Sequence, residues 1–187
     1  PVQETWRYYD SAKTYGTPPT NGLVTKEERW LWNPVTRQAS RVVREYAYDD
    51  FGNVTKATDP LGRSTTTQYA SSHHMYPKTV TNAAGHTTRY TYDPALRRLT
   101  DAVDPNGQVT RSVYDPLGRL IQVYGPDDPK NLPGIIYEYQ TTIIPNRTAI
   151  KTKTSYDPRQ PAYLTAYRFM DGLGRVIQEQ APAEPDP

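Results

Sequence analysis

Residues 104–124 read DPNGQVTRSVYDPLGRLIQVY and contain two copies of one short pattern. Each copy begins with Asp-Pro and has Gly at its fourth position, in Asp104–Gly107 and Asp115–Gly118. These are the preferred residues of a type I β-turn, because Asp bonds its own backbone and Pro presets φ. About seven residues rich in Val, Thr, Tyr and Arg separate the turns, which is typical of a β-strand. The stretch therefore predicts consecutive β-hairpins.

The same turn pattern recurs along the chain. Asp or Asn, two residues and then Gly occur at Asp49–Gly52, Asp59–Gly62, Asn82–Gly85, Asp104–Gly107, Asp115–Gly118 and Asp171–Gly174. Asp93 begins an equivalent segment in which Leu96 takes the place of the Gly, and the starts at 82, 93, 104 and 115 are 11 residues apart. The period predicts an antiparallel meander with a turn after every strand.

A tyrosine precedes alternate turns, and these tyrosines are 21 to 23 residues apart: Tyr48, Tyr69, Tyr92 and Tyr114. The repeating unit is thus about 22 residues, or two strands and two turns. We expect the Tyr-led turns to share one edge of the ribbon and the other turns to share the opposite edge. We also expect the four tyrosines to stack in a column, and Gly62, Gly107 and Gly118 to permit tight turns. The predicted structural positions of the repeat are Tyr48, Asp49, Gly52, Asp59, Gly62, Tyr69, Asn82, Gly85, Tyr92, Asp93, Asp104, Gly107, Tyr114, Asp115, Gly118, Asp171 and Gly174.

The composition predicts an ordered all-β protein with a thin or wet interior. Leu, Ile, Val and Phe total 31 of 187 residues, below the rough 20% line associated with disorder. However, the net charge is only +2, and 16 tyrosines and three tryptophans supply amphipathic surface that disordered chains lack. Eighteen scattered prolines argue against helices. The absence of Cys excludes disulfides, thiol nucleophiles and Cys-ligated metals.

Length then predicts the architecture. At 11 residues per strand and turn, the chain would hold roughly 17 strands and extend about 80 Å. Open twisted sheets rarely exceed about 10 strands without curling or splitting. The ribbon is therefore expected to coil into a solenoid-like spiral.

The pattern is uneven along the chain, which suggests five regions. Tyr9-Asp10 and Trp32-Asn33-Pro34 take the aromatic-led turn positions in the first region. The chain begins without Met or a signal-peptide profile, so we interpret it as an internal piece of a longer protein. The regions are degenerate β repeats (1–45), regular repeats (46–124), a loop insertion (125–134), further degenerate β repeats (135–180) and the start of a Pro-rich linker (181–187).

Three stretches resemble the RHS or YD-repeat family. They are YDDFGNVTKATDPLGRSTTTQY from Tyr48, NAAGHTTRYTYDPALRRL from Asn82 and DPNGQVTRSVYDPLGRLIQVY from Asp104. The resemblance covers residues 46–124 and returns more weakly at 169–180. It implies a long β-ribbon that spirals into a hollow shell.

The resemblance also implies a function. In bacterial toxin complexes and polymorphic toxins, the family's shell encloses a C-terminal toxic passenger, and in teneurin-type proteins it forms part of an adhesion ectodomain. YRFMDGLGRVIQ from Tyr167 looks most like the B/C-type shell components of insecticidal toxin complexes. Complete bacterial shells end in DPxGLxxG, a motif associated with self-cleavage. The turns at Asp59 and Asp115 begin in this way but continue with Arg63 and Arg119, so no protease activity is transferred to them.

No catalytic, metal-binding or cofactor-binding constellation is predicted. The adjacent carboxylates Asp49/Asp50 and Asp127/Asp128 lie in turns or loops, where turn chemistry accounts for them. The histidines, His73, His74 and His86, lack the spacing of metal ligands. The glycines follow the turn period and form no phosphate-binding loop.

Arginines follow the turn Gly at Arg63, Arg119 and Arg175. With interleaved Tyr they could bind single-stranded nucleic acid, but the low net charge favours packing of Arg stems over Tyr rings. An Arg- and aromatic-rich ladder could also bind glycans.

Two functional hypotheses remain. The first is a non-catalytic wall segment of a shell that encloses a toxin or effector passenger. Its partners would be the rest of its own longer chain, the passenger and other toxin-complex subunits. The alternative is a cell-surface module that binds glycan or protein. Both place the chain in a secreted or cell-surface bacterial protein, without a membrane span, and neither requires a cofactor.

Overall fold

The structure, a computed structural model, describes residues 3–155, 157, 159 and 161–182, and of Gln3 only the backbone. Within these residues the chain forms fourteen β-strands and no helix, so the predicted all-β class is confirmed. Pro1 and Val2 of the first predicted region, and residues 183–187 of the predicted linker, lie outside the described residues. The strands are β1 Gln3–Tyr9, β2 Val24–Asn33, β3 Gln38–Tyr48, β4 Val54–Thr58, β5 Ser64–Tyr69, β6 Pro77–Thr81, β7 Thr87–Tyr92, β8 Leu99–Val103, β9 Val109–Tyr114, β10 Leu120–Tyr124, β11 Ile135–Gln140, β12 Asn146–Lys153, β13 Tyr163–Met170 and β14 Val176–Gln180.

The chain folds as two compact units that divide between Arg89 and Tyr90, within β7. In the first unit, each strand from β1 to β6 pairs antiparallel with the next one along the chain. The pairing of β2 with β3 is the longest and places Trp30 opposite Arg41 and Glu28 opposite Val43. Hairpin connections suffice for this order, because antiparallel neighbours need only a short turn.

The second unit repeats this arrangement. Strands β8 to β14 each pair antiparallel with the next. β12 and β13 are in register over eight residue pairs, from Asn146–Met170 to Lys153–Tyr163. The predicted antiparallel meander is therefore present in each unit.

The described strands number fourteen, fewer than the roughly 17 expected from an 11-residue period. Two features account for the difference. The first unit has longer strands, with ten residues in β2 and eleven in β3. Long connections replace tight turns between β1 and β2, between β5 and β6 and between β10 and β11.

These departures also move one predicted turn. Tyr9-Asp10 follows β1, at the same edge of the first unit as the Tyr48 turn that follows β3. Trp32-Asn33 ends β2 and leads the next turn, where Asn33 Oδ1 accepts hydrogen bonds from the backbone N–H groups of Val35 and Thr36. This turn lies at the edge opposite to the Tyr9 and Tyr48 turns, so it is not equivalent to them in position. The 22-residue spacing of the repeat does not apply here because the β1–β2 connection extends from residue 10 to residue 23.

The interior is thin, as the composition predicted. Counted over whole residues, the buried apolar residues of the described chain are Tyr8, Pro133 and Ala149, and the buried polar ones are Glu28 and Thr148. All positions of β8, β10 and β11 are half-buried, whichever face they point to. Because side chains alternate between the faces of a strand, both faces of this sheet are partly covered and partly wet.

Candidate functional site: the repeated turns and the polar clusters

The repeated turns share one backbone geometry. At Asp115 the backbone N–H donates to the Arg119 carbonyl at 2.9 Å, and the Gly118 N–H donates back to the Asp115 carbonyl at 2.9 Å. This is a hairpin with a type I turn followed by a left-handed bulge residue. Gly118 has a φ of 74°, which an L side chain rarely adopts. Positive φ values also occur at the fourth turn residues Gly52, Gly62, Gly85, Gly107 and Gly174.

The first turn residue holds the loop with its side chain. Asp115 Oδ1 accepts hydrogen bonds from the backbone N–H groups of Leu117 (3.0 Å) and Arg119 (2.9 Å). These bonds satisfy donors that the strand ladder leaves unpaired, which is why Asp or Asn occupies this position. The same pair of bonds occurs at Asp49, Asp59, Asn82, Asp104 and Asp171.

In three turns, an arginine forms an ion pair with the second carboxylate oxygen of the first turn residue. The Arg119 Nε lies 2.6 Å from Asp115 Oδ2, and Arg63–Asp59 and Arg175–Asp171 are equivalent pairs at 2.7 Å. The Arg63 side chain, with the backbone N–H groups, holds the pKa of the Asp59 carboxyl below its ordinary value despite some burial. The three arginine side chains are 41–74% exposed, so each ion pair alone contributes little stability. The Arg119 guanidinium also lies 4.6 Å from the centre of the Tyr139 ring, as expected for Arg packing over Tyr.

The repeat tyrosines end alternate strands. Tyr48 and Tyr69 end β3 and β5 in the first unit, and Tyr92 and Tyr114 end β7 and β9 in the second. Because alternate strands run in the same direction, the two Tyr-led turns of each unit lie at one edge. The turns that begin at Asp59, Asn82 and Asp104 follow β4, β6 and β8, at the opposite edge of their units.

The expected column of stacked tyrosine rings is not what the structure shows at Tyr48, Tyr69 and Tyr114. Their hydroxyls instead donate to backbone carbonyls of the preceding hairpin, at Val24 (2.7 Å), Val54 (3.1 Å) and Leu99 (2.9 Å) respectively. Strands that carry successive repeat tyrosines are separated by one strand, or about 9.6 Å. Ring pairs need centroids within about 7 Å. Each tyrosine therefore bridges to the neighbouring hairpin through its hydroxyl.

Side chains also join neighbouring turns at the Tyr-led edge of the first unit. The Asn53 side-chain amide donates to the His74 carbonyl at 2.5 Å, and the Phe51 and His74 rings stack at 3.8 Å. His74 is thus a structural residue with a φ of 49°.

The turn without a glycine adopts a longer geometry. The Asp93 N–H donates to the Arg98 carbonyl, one residue further than in the regular turns, and Arg97 takes the left-handed conformation with a φ of 54°. The residue equivalent to the turn Gly is therefore Arg97, and not Leu96 as the sequence suggested. The added residue lets Leu96 avoid the left-handed region.

Replacing Arg97 by glycine should raise the free energy of unfolding by about 0.5–1 kcal/mol. The free energy gained by relieving the left-handed backbone strain exceeds the free-energy cost of the conformational entropy that glycine adds to the unfolded chain. Urea unfolding followed by circular dichroism measures the difference. Arg98→Gly is the matched control, because Arg98 has an ordinary φ and its substitution should destabilise the protein. Equal effects of the two variants would contradict this explanation.

Asp10 organises the long β1–β2 connection. Its Oδ2 accepts hydrogen bonds from the backbone N–H groups of Thr20 (2.7 Å), Asn21 (2.9 Å) and Gly22 (3.2 Å), and its Oδ1 from that of Leu23 (3.1 Å). These backbone donors, Asn21 first among them, lower the pKa of Asp10 to about 2. The segment so held carries Tyr15, whose ring stacks on Trp6 with centroids 5.0 Å apart.

Acid should release this connection. The folded pKa of about 2 lies below the ordinary value of 3.8, so Asp10 stabilises the fold fully above pH 3.8 and stops doing so as pH falls through about 2. Tryptophan fluorescence between pH 5 and pH 1.5 reports loss of the Tyr15–Trp6 stack. Subtracting the titration of Asp10→Asn isolates this step from the other carboxyl groups. Identical curves for the two proteins would exclude Asp10 as the cause.

Sequence reasoning missed a buried charged cluster in the first unit. Glu28 is 3% exposed, and its carboxylate lies 3.1 Å from Lys26 Nζ and 3.2 Å from Arg41 Nη1. The Tyr8 hydroxyl donates to the same carboxylate at 3.1 Å, and Lys26 Nζ lies 3.8 Å above the Tyr8 ring. Burial alone would raise the pKa of Glu28, but Lys26 and Tyr8 outweigh it and hold the pKa below its usual range.

A second buried pair fixes the β10–β11 connection. Asp128 forms an ion pair with Lys153, and their side chains are 8% and 2% exposed. Asp128 also accepts a hydrogen bond from the Gly125 N–H at 2.7 Å. Burial would raise the pKa of Asp128, but the Lys153 ammonium and the backbone N–H groups of Gly125 and Gly134 lower it below the ordinary value.

The described residues form no recognisable catalytic or metal centre. No group of three or more His, Asp or Glu side chains among them could hold a metal ion. Asp128 is paired with Lys153, Asp49 is bonded within its own turn, and His73 contacts Ser72. A helix able to cross a membrane is absent from the part of the chain that the structure describes.

Comparison with known proteins gives a family match and a fold match. Residues 35–74 and 97–129 match the family model described as RHS Repeat. No curated protein matches the sequence. The crystal structure of TcdB2-TccC3 matches 95% of this chain with a TM-score of 0.73 and 18% identity, an identity that supports a shared fold alone.

The match concerns a small part of that larger protein, since this chain spans 12% of the length of the TcdB2-TccC3 chain. A Photorhabdus luminescens Tc holotoxin pore matches 86% of this chain and 11% of its own, with 14% identity and a TM-score of 0.43, too low to support an argument. The two repeat segments, the Tyr-led hairpins and the shared fold agree with one another. The chain therefore carries RHS, or YD, repeats in residues 35–74 and 97–129.

Proposed function

We propose that this chain is a segment of the wall of an RHS-repeat shell that encloses and shields a passenger polypeptide. In this proposal the ribbon coils, and the segment performs no catalysis of its own. The observation that carries the proposal is the thin sheet, whose described residues include only three buried apolar ones, Tyr8, Pro133 and Ala149. A sheet whose two faces are both partly exposed to solvent is suited to separate two aqueous compartments.

The exposed turn tips support coiling. The third residue of four repeat turns is a large apolar side chain that is 64–79% exposed: Phe51, Leu61, Leu117 and Leu173. Regularly placed apolar groups at sheet edges favour contact with another surface. Adjoining coils of the same ribbon would cover them, as the family's spiral implies.

The fold match supports a place in a bacterial toxin assembly. TcdB2-TccC3 shares the fold over nearly all of this chain, which spans only a small part of that protein. The proposed partners are accordingly the rest of a longer chain, the passenger and other toxin-complex subunits, in a secreted or cell-surface protein.

Limited proteolysis of the native full-length protein, with fragment masses mapped along the chain, tests enclosure. We expect cleavage at exposed connections such as residues 125–134 while a downstream passenger stays intact. Asp128→Asn, which loosens that connection, should expose the passenger to protease sooner, and Asp127→Asn is the matched control. Immediate digestion of everything downstream would exclude a chamber and favour the alternative, a surface adhesion module.

A further inference from the structure

Two of the three histidines and one of the two methionines of the chain are consecutive, at His73, His74 and Met75. They lie in the β5–β6 connection, whose ends are joined by a hydrogen bond from the Ala70 N–H to the Tyr76 carbonyl at 3.0 Å. Within this connection the His74 N–H donates to the Ala70 carbonyl at 2.9 Å and closes a tight turn of backbone. The three side chains are therefore carried by one short, hydrogen-bonded loop.

The backbone of this loop does not send its side chains to alternate faces. His74 has a φ of 49°, in the left-handed region. Alternation belongs to an extended strand, and a left-handed residue redirects the chain as it does in a β-bulge. His73 is exposed, and Met75 is 55% exposed although methionine is usually a buried residue. Packing of the first unit therefore does not explain the position of Met75.

Both imidazole rings are held by contacts that leave ring nitrogens available. His73 Nδ1 lies 2.9 Å from the Ser72 hydroxyl oxygen, and when Nδ1 donates this hydrogen bond, Nε2 carries the lone pair. A hydrogen bond from the second ring nitrogen orients most histidines that bind metals. The His74 ring stacks on the Phe51 ring with centroids 3.8 Å apart. Stacking uses the faces of the rings and leaves the His74 nitrogens at the ring edge.

The kinds of donor in this loop restrict the metal. A zinc centre needs further His, Cys, Asp or Glu ligands, and the described chain brings no third His, Asp or Glu to this pair. Calcium and magnesium require oxygen ligands. A thioether such as that of Met75 is a soft donor that selects Cu(I), and imidazole also binds copper well. Two imidazoles beside one thioether therefore match Cu(I).

We propose that His73, His74 and Met75 bind one Cu(I) ion through Nε2 of His73, a ring nitrogen of His74 and Sδ of Met75. The hydrogen bond with Ser72 orients the first ring, and the stack on Phe51 positions the second. The site is independent of the proposed wall function, because enclosure of a passenger requires no metal.

Competition with the chelator ferrozine for Cu(I) tests the site, in anaerobic buffer that contains ascorbate and with the full chain free of any histidine tag. We expect the chain to withdraw one equivalent of Cu(I) from the chelator. His73→Ala should raise the Kd about tenfold or more, which corresponds to about 1.4 kcal/mol or more. Met75→Leu should raise it about threefold to tenfold, because the thioether supplies one soft bond and both imidazoles remain. X-ray absorption at the copper edge should show a sulfur neighbour that Met75→Leu lacks.

Two matched variants remove the same donor types elsewhere in the chain. His86→Ala and Met170→Leu should leave the Kd unchanged, because neither residue belongs to the β5–β6 connection. Since His73 and Met75 are exposed, their substitution should leave the circular dichroism spectrum as it is in the wild type. Retention of all Cu(I) by ferrozine, wild-type affinity in His73→Ala, or a copper–sulfur signal that persists in Met75→Leu would overturn the proposal.

Discussion

Asparagine in place of Asp128 should lower the free energy of unfolding of the second unit by about 3–5 kcal/mol, the usual cost of breaking a buried ion pair. The Lys153 side chain is 2% exposed, and the substitution removes the charge that compensates its ammonium. Hydrogen exchange of β10, β11 and β12, followed by mass spectrometry, measures the loss locally. Asp127→Asn changes the exposed neighbouring carboxylate and should have little effect. Similar losses in the two variants would contradict the importance of the buried pair.

The pH dependence gives the same pair a second signature. The pKa of Asp128 is lowered in the folded state, so its contribution is complete above the ordinary value of 3.8 and is lost as the pH falls through the folded pKa. Asp128→Asn should therefore lack this part of the acid sensitivity of the second unit. An unchanged acid transition would show that other carboxyl groups govern it.

Gly134 tests the position of the Asp128 carboxylate independently. A Cβ at residue 134 would lie 2.5 Å from Asp128 Oδ2, so Gly134→Ala must displace the carboxylate from Lys153. In an Asp128→Ala background the same substitution meets no carboxylate and should cost much less. A double-mutant cycle measures this coupling.

The second large effect is expected in the turn Asp171–Gly174, which contains two glycines. Gly174→Ala should destabilise the β13–β14 hairpin by about 1–2 kcal/mol, because an L residue must then take a left-handed conformation. Gly174 has a φ of 77° and open space around it, so the cost is conformational and not steric. Hydrogen exchange of β14 relative to β12 measures the local change.

Gly172 is a matched control only two residues away. A Cβ there also meets no atom within 4 Å, but its φ is not in the left-handed region. Gly172→Ala should be neutral or stabilising by up to about 1 kcal/mol, since alanine restricts the unfolded chain. Gly174→Asn should fall between the two alanine variants, because Asn tolerates positive φ better than Ala. Equal effects of the two alanines would exclude the conformational explanation.

The hairpins could be predicted because their information is local. Asp115 and Gly118 make their decisive hydrogen bonds within five residues, so the local sequence is enough to predict the turn. The spacing of the tyrosines likewise predicted which turns share an edge. The thin interior followed from composition alone.

What the sequence did not reveal depends on contacts between distant residues. Glu28 meets Tyr8 across 20 positions, and Asp128 meets Lys153 across 25. Nothing in the local pattern distinguishes these charges from exposed ones. The predicted column of stacked tyrosine rings does not form for a geometric reason, since the 22-residue period places successive rings two strands apart.

The order of the strands also determines how such a chain can change in length during evolution. Within the described part of each unit, every strand is bonded only to strands adjacent in sequence, so duplication of a segment alters contacts only at its two junctions. Duplication of a single strand would reverse the direction of all that follows and transfer every later tyrosine-led turn to the opposite edge. Duplication of a hairpin preserves both the direction of the later strands and the edge at which their tyrosine-led turns lie. The indivisible increment of growth is therefore two strands, and genes for such chains should vary in size by multiples of about 22 codons.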